Sequence, residues 1–359
     1  MGTIKKIAIN TGGGDAPGLN AVIRAAALSA INRGWEVYGI HRAYAGLLGE
    51  DEIVPLTRDT VRGITHLGGT ILGTTTHGNP FAWPMKQPDG TTRRVDRSDE
   101  LVTAFREHGF DALIAIGGDG SLRLAYDLSK KGIPLVGVPK TIDNDIEGTQ
   151  LTFGFLTAVD VATDAIDRLH STAQAHERVM IVEVMGRDAG WIALFSGVAG
   201  TADVILIPEI PYRIEKVCEK IVERERMRRH FTIVVVAEGA CPVDGAPVYE
   251  DPERRRLGGI CEILAKQISE RTGKECRAIA LRHLQRGGSP NAYDRLIALR
   301  FGAAAVECIA KGEFGCMVAL DPPDVRTIPL AEAVSRQKRV PVDGDVVATA
   351  RALGMSFGD

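Results

Sequence analysis

Short apolar, β-branched runs alternate with stretches of helical periodicity through most of this chain of 359 residues. Strands are expected over Ile4–Ile9, Trp35–Ile40, Ala112–Ile116, Pro134–Val138, Val179–Val184, Val204–Ile207, Thr232–Ala237 and Arg277–Leu281. Helices are expected over Asn20–Asn32, Ser121–Lys130, Thr157–His170, Ile214–Met227, Gly258–Arg271 and Asp294–Ala310. The strands are apolar throughout rather than alternating, which means burial on both faces. That pattern requires mainly parallel sheets covered by helices on each side. In sheets of this kind ligands bind where strands lead into helices. The glycines and charged residues of this chain concentrate in those loops.

Several classes of function are excluded early. A net charge of −3 disfavours nucleic-acid binding, and the most basic stretch, Glu223–His230, reads as the solvated end of a helix. The six cysteines form no C-x-x-C pair and lack histidines at zinc spacing, so they read as reduced thiols. No apolar run reaches the ~18 residues that would span a bilayer, and the N-terminal segment lacks the features of a secretory signal. The expectation is a cytoplasmic protein with no nucleic-acid or membrane partner.

Three loops carry the chemistry. The first is Thr11-Gly-Gly-Gly-Asp-Ala-Pro-Gly-Leu-Asn20, between a strand and a helix. Its glycines suit either a phosphate cradle or a tight turn, and it matches neither G-x-G-x-x-G nor the Walker A pattern. The second is Ile116-Gly-Gly-Asp-Gly-Ser121. There Asp119 can hold magnesium beside a polyphosphate or cap a helix. The third, Val138-Pro-Lys-Thr-Ile-Asp-Asn-Asp145, crowds one lysine, one hydroxyl and two carboxylates together. One carboxylate can accept the proton of an attacking alcohol while the other orients it or helps bind metal.

With V-E-V-M-G-R at 182–187 and Q-R-G-G-S-P-x-x-Y-D-R at 285–295, these motifs resemble the phosphofructokinase family. The likeness runs from Ile4 to about Gly312, and the tail from Asp324 lies beyond it. The resemblance implies two Rossmann-like three-layer α/β/α domains with the active site in the cleft between them. A phosphoryl-donor domain is expected over residues 1–154 plus about 286–323. A sugar-phosphate domain is expected over 155–285 plus about 324–359.

The same resemblance assigns roles. Asp143 matches the general base toward the 1-hydroxyl of fructose 6-phosphate, supported by Asp145, Thr141 and Arg187. Asp119 matches the Mg2+ ligand. Gly14, Tyr44, Gly120, Ser121 and Lys140 match the donor site. Thr141, Met185, Gly186, Arg187, Glu238, His283 and Arg286 match the sugar-phosphate site. Arg178 and Arg277 match arginines that reach the neighbouring subunit's phosphate, so a homo-oligomer, dimer or tetramer, is expected.

The donor is expected to be ATP, because Gly120 stands where diphosphate users carry aspartate. Lys140, by contrast, is the residue typical of diphosphate users. The run Gly73–Asn79 lacks the arginine the family often carries there, and Lys140 or His77 can supply part of that charge. Arg282 replaces a glycine and keeps other ketose phosphates, such as sedoheptulose 7-phosphate or tagatose 6-phosphate, in play. Leu28 replaces a cation of the family's allosteric site, although Arg24 matches another. A non-catalytic regulatory homologue is the alternative of a different class; the presence of both Asp119 and Asp143 argues against it.

Overall fold

The computed structural model describes residues 4–251 and 256–359. The chain divides into two compact units. The first comprises Met1–Thr141, Ile146–Gly154 and Arg286–Gln337; the second comprises Ile142–Asp145, Phe155–Gln285 and Lys338–Asp359. Both are α/β units built on a mainly parallel sheet.

In the first unit the sheet runs Asp324–Pro329, Cys316–Asp321, Leu135–Thr141, Ala112–Gly117, Lys6–Gly12, Glu36–Ile40 and Ile53–Pro55, with Phe153–Gly154 beside Leu135–Thr141. Pairing is parallel except for the two outermost strands, Asp324–Pro329 and Ile53–Pro55. Apolar side chains alternate between two cores. Ile7, Ile9, Ile114 and Ile116 face helices Leu19–Ile31 and Ala292–Lys311. Ala8, Leu113 and Ala115 face helices Ser98–Glu107 and Asp119–Lys130. Burial on both sides is what the unbroken apolar runs demanded.

The second unit repeats the arrangement with four parallel strands in the order Val204–Leu206, Thr232–Ala237, Val179–Val184, Cys276–Ala280. Helices Ile214–Arg226 and Ile260–Thr272 share a core with one face. Helices Phe155–His176 and Trp191–Ala199 lie against the strands from the other side.

Expected and observed elements differ in instructive places. The first strand runs on to Gly12, because its pairing with Ala112–Gly117 continues to Gly12 opposite Gly117. The polar stretch 78–97 holds a hairpin, Trp83–Lys86 against Thr92–Val95, turning at Gly90 with φ +84°. Helix Trp191–Ala199 is nearly all apolar, so it offers no amphipathic stripe to read. The tail was expected to rejoin the second domain from about 324. It does so at Lys338, because strand Asp324–Pro329 pairs with Cys316–Asp321 in the first unit.

Helices Leu19–Ile31 and Ala292–Lys311 approach closely at Gly302. A Cβ added there would lie 2.6 Å from the Val22 carbonyl oxygen and 2.9 Å from the Ala26 nitrogen. Backbone atoms cannot step aside as a flexible side chain would. Gly302→Val should therefore destabilise the protein by about 1–3 kcal/mol, read as a lower urea midpoint at unchanged m-value.

Candidate active site

The loop edge of the first unit is set by strand register. Gly12 lies opposite Gly117, and Gly117 lies opposite Pro139, so three adjacent parallel strands end at the same edge. Their loops converge there. A Cβ on Gly117 would meet the Ser121 Cβ at 2.3 Å, and one on Gly12 would meet the Ser121 hydroxyl at 2.9 Å. Here glycine is required by close approach between the two loops. The first loop is also clamped from the 74–75 segment: Thr74 Oγ1 donates to the Gly13 carbonyl at 2.6 Å, and Gly13 N–H donates to the Thr75 carbonyl at 3.1 Å.

The buried Lys140 ammonium donates to the Gly14 carbonyl. Arg286 donates to the Asp15 carbonyl at 3.0 Å, and its Nη1 lies 2.9 Å from where a Gly14 Cβ would be. Arg286 was expected among the sugar-phosphate residues with His283. It belongs to the first unit, against the donor loop, whereas His283 is exposed in the second. Tyr44 is buried in the core with Leu47, Leu48 and Trp83, and burial pushes its hydroxyl up to about 12. Its ring therefore backs the site from within the core and presents no open face to a base.

Asp119 opens helix Asp119–Lys130, and its nearest cation is Arg123 at 3.8 Å, one turn on. Among the described residues it belongs to no cluster of three metal-ligating side chains. A single, partly exposed carboxylate is what magnesium needs when donor phosphates supply its other ligands. The cluster that does exist, Glu183–Cys261–Glu262, is poorly suited to metal. The Glu183 carboxylate already accepts from the N–H groups of Gly259 and Cys261, and burial holds the Cys261 thiol protonated.

In the second unit the carboxyl ends of Val179–Val184 and Thr232–Ala237 lie side by side, with Val184 opposite Ala237. Glu238 N–H donates to the Val184 carbonyl at 2.9 Å. The Glu238 carboxylate accepts from the N–H groups of Gly186 at 3.2 Å and Arg187 at 2.9 Å. Gly186 and Arg187 have φ of +144° and +54°, so the Met185-Gly186-Arg187 turn is held in the left-handed region by that carboxylate. Arg187 itself projects into solvent. Asp143, Asn144 and Asp145 are buried, and the charge on Asp143 acts on Glu238. Desolvation first, and Asp143 second among the raising influences, push Glu238 up to about 7 despite its backbone partners. Asp143, Gly186, Arg187 and Glu238 thus share one neighbourhood of the second unit.

Arg178 and Arg277 sit at the other end of the sheet. Arg178 precedes Val179–Val184, while Arg277 pairs with Met180, and both donate to Glu275. A six-residue strand spans about 20 Å, so neither arginine reaches the Glu238 end within its own chain. Arg282 adopts φ +47° and gives Nη1 to both oxygens of Glu250 at 2.7 Å. In this structure its charge is paired with that carboxylate. Lys338, which reads as surface in the sequence, donates from Nζ to Asn144 Oδ1 at 3.0 Å. No motif near it announced that role.

The phosphofructokinase family model matches residues 6–309. The ATP-dependent 6-phosphofructokinase of Chloroflexus aurantiacus is 52% identical over 355 residues, 99% of this chain and 98% of that protein. The pyrophosphate–fructose 6-phosphate 1-phosphotransferase of Streptomyces coelicolor is 50% identical over 342 residues, covering 93% and 96%. Among solved structures, the T-state phosphofructokinase of Pichia pastoris aligns with TM-score 0.79 at 30% identity, over 98% of this chain and 37% of that longer one. The pyrophosphate-dependent enzyme of Marinobacter aquaeolei shares the fold with TM-score 0.81 at 24% identity, covering 98% and 88%. The chain belongs to the phosphofructokinase family.

The position of Glu238 has a consequence for stability. Its folded value, about 7, lies above the usual carboxylate value, so the fold prefers the neutral acid. Stability is then complete below pH ~4.5 and is lost as pH rises through 7. Glu238→Gln keeps an acceptor without the charge. Relative to wild type it should gain on the order of 1–3 kcal/mol at pH 8.5 and nothing near pH 4.5, read from thermal midpoints at the two pH values.

Proposed function

We propose that this protein is a 6-phosphofructokinase that transfers the γ-phosphoryl group of ATP to the 1-hydroxyl of fructose 6-phosphate. The observation that carries this reading is the buried Asp143, close enough to Glu238 to raise it while Glu238 is tied to the Met185-Gly186-Arg187 turn. A proton acceptor and an acceptor for sugar hydroxyls thereby share one environment.

In the proposed reaction the 1-hydroxyl gives its proton to the Asp143 carboxylate as its oxygen bonds to the γ-phosphorus. The bond from that phosphorus to the bridging oxygen breaks, and the electron pair leaves with ADP. Asp145 and Arg187 support the base, and Thr141 hydrogen-bonds the moving group. Lys140 and the loop N–H groups around Gly14, Gly120 and Ser121 offset charge as it spreads. Asp119, with donor phosphate oxygens, would hold Mg2+, which when bound neutralises charge on the transferring group.

His283 and Arg286 are proposed to hold the 6-phosphate, joined by Arg178 and Arg277 of a neighbouring copy. That last assignment rests on their place at the far end of the sheet, and it makes a homo-oligomer necessary. Six free cysteines, and no helix long and apolar enough to cross a membrane among the described residues, accord with a cytoplasmic setting.

ATP is preferred as donor because nothing lies within 4 Å of a Cβ added to Gly120. Diphosphate stands as the second reading because Lys140 lines the donor loop. Initial rates with fructose 6-phosphate and Mg2+ should be higher with ATP than with diphosphate. Inactivity with both would overturn the proposal. Asp143→Asn should lower kcat about 10²–10⁴-fold with either donor. Gly120→Asp has room to fold and should raise KM for ATP at least tenfold while leaving use of diphosphate largely intact; equal effects on the two donors would refute the role given to Gly120.

A further inference from the structure

The segment that follows the first unit's last strand re-enters the second unit at Lys338 and runs beside the 143–145 turn. Asn144, between the two carboxylates, has φ +53°, a left-handed conformation that asparagine tolerates better than most residues but that still needs support. Lys338 provides it at two points. Its Nζ donates to Asn144 Oδ1 at 3.0 Å, and its backbone N–H donates to the Asp145 carbonyl at 2.8 Å.

Lys338 is in turn fixed by its own surroundings. Trp191 Nε1–H donates to the Lys338 carbonyl at 3.2 Å, and the ammonium stands 5.2 Å from the centre of the Trp191 ring. Two residues on, Val340 N–H donates to Glu209 at 2.9 Å, and Glu209 also accepts from Gly190 N–H at 3.1 Å, just before helix Trp191–Ala199. The strap 338–340 is thus fastened on one side to the turn and on the other to the start of that helix.

We propose that Lys338 is a positioning residue for phosphoryl transfer: it holds the Asp143-Asn144-Asp145 turn in its left-handed conformation and so fixes the direction of the Asp143 carboxylate. The inference rests on the reading of Asp143 as the base. A base displaced by about 1 Å loses on the order of 10²-fold in rate, while substrates that bind through other residues keep their affinity. Lys338 is not among the residues proposed to bind either substrate, so the effect should fall on kcat.

The test uses the full chain with ATP, Mg2+ and fructose 6-phosphate, comparing wild type, Lys338→Met and Lys338→Arg. Lys338→Met keeps the length of the stem and the backbone N–H but removes the ammonium. It should lose about 10–100-fold in kcat with both KM values within about threefold, and exchange at the Asn144 and Asp145 amides should quicken. Lys338→Arg, which restores a charged donor, should recover kcat to within about threefold of wild type. The inference is overturned if Lys338→Met keeps wild-type kcat, if the loss appears in KM instead, or if Lys338→Arg fails to recover. Should Lys338→Met not fold, Lys338→Gln takes its place with the same outcomes. If wild type is inactive with ATP and with diphosphate, the reading of Asp143 as base fails, and amide exchange at the turn alone decides whether Lys338 holds it.

Discussion

Level parallel pairing of three strands is the constraint on which the donor side depends. Gly12, Gly117 and Pro139 stand opposite one another, so the first two strands release their loops level on the sheet and the third runs two residues further, to Thr141. A one-residue slip would turn every apolar side chain to the opposite core and carry the loops out of alignment. Two cores, one on each face, hold the register and so keep the three polar loops at one edge. Ser121 then acts as the spacer between loops, and the glycines at 12 and 117 are dictated by its presence.

The second unit solves a different problem with the same geometry. Its carboxyl edge gathers acids rather than phosphate-binding N–H groups. Glu238 is tied to two N–H groups yet remains raised, because desolvation and the nearby Asp143 outweigh those bonds. Any hydroxyl that donated to Glu238 would lower the cost of charge there, so on the proposed reading sugar binding and ionisation would be coupled. At the amino edge, Arg178 and Arg277 share Glu275. That exposed pairing is weak, so the arginines are easily given to another partner.

Much of this organisation was legible in the sequence because it is local. Unbroken apolar runs announced strands buried on both faces, and the glycine-bearing loops announced where they end. What escaped depends on contacts between distant residues. Tyr44 falls where the family has an aromatic near the nucleotide, and its burial in one core with Trp83, from the hairpin 83–95, shows only in the fold. Arg282 reads as an unmatched cation until Glu250, 32 residues away, is seen beside it. Strand Asp324–Pro329 looks like tail, and its partner strand alone assigns it to the first unit. Lys338 lies 194 residues from the asparagine it supports, and nothing in its own neighbourhood marks it.

Gly120 and Lys140 give conflicting indications of the donor only while both are treated as labels. Physically they act on different properties. Lys140 is buried and bonded to the Gly14 carbonyl, so its charge lies beneath the first loop, where phosphates of either donor would feel it. It strengthens binding of an anion without measuring the anion's length. Gly120 would act through volume: a side chain there would grow into space clear of heavy atoms for 4 Å, room that the proposed longer donor would need. A cation of this kind can therefore accompany either donor, whereas an aspartate at 120 would oppose the nucleotide's additional phosphate by bulk and by charge. On the proposed reading the discriminating position is therefore the glycine, and Lys140, beside a 73–79 run that holds no arginine, would serve either donor.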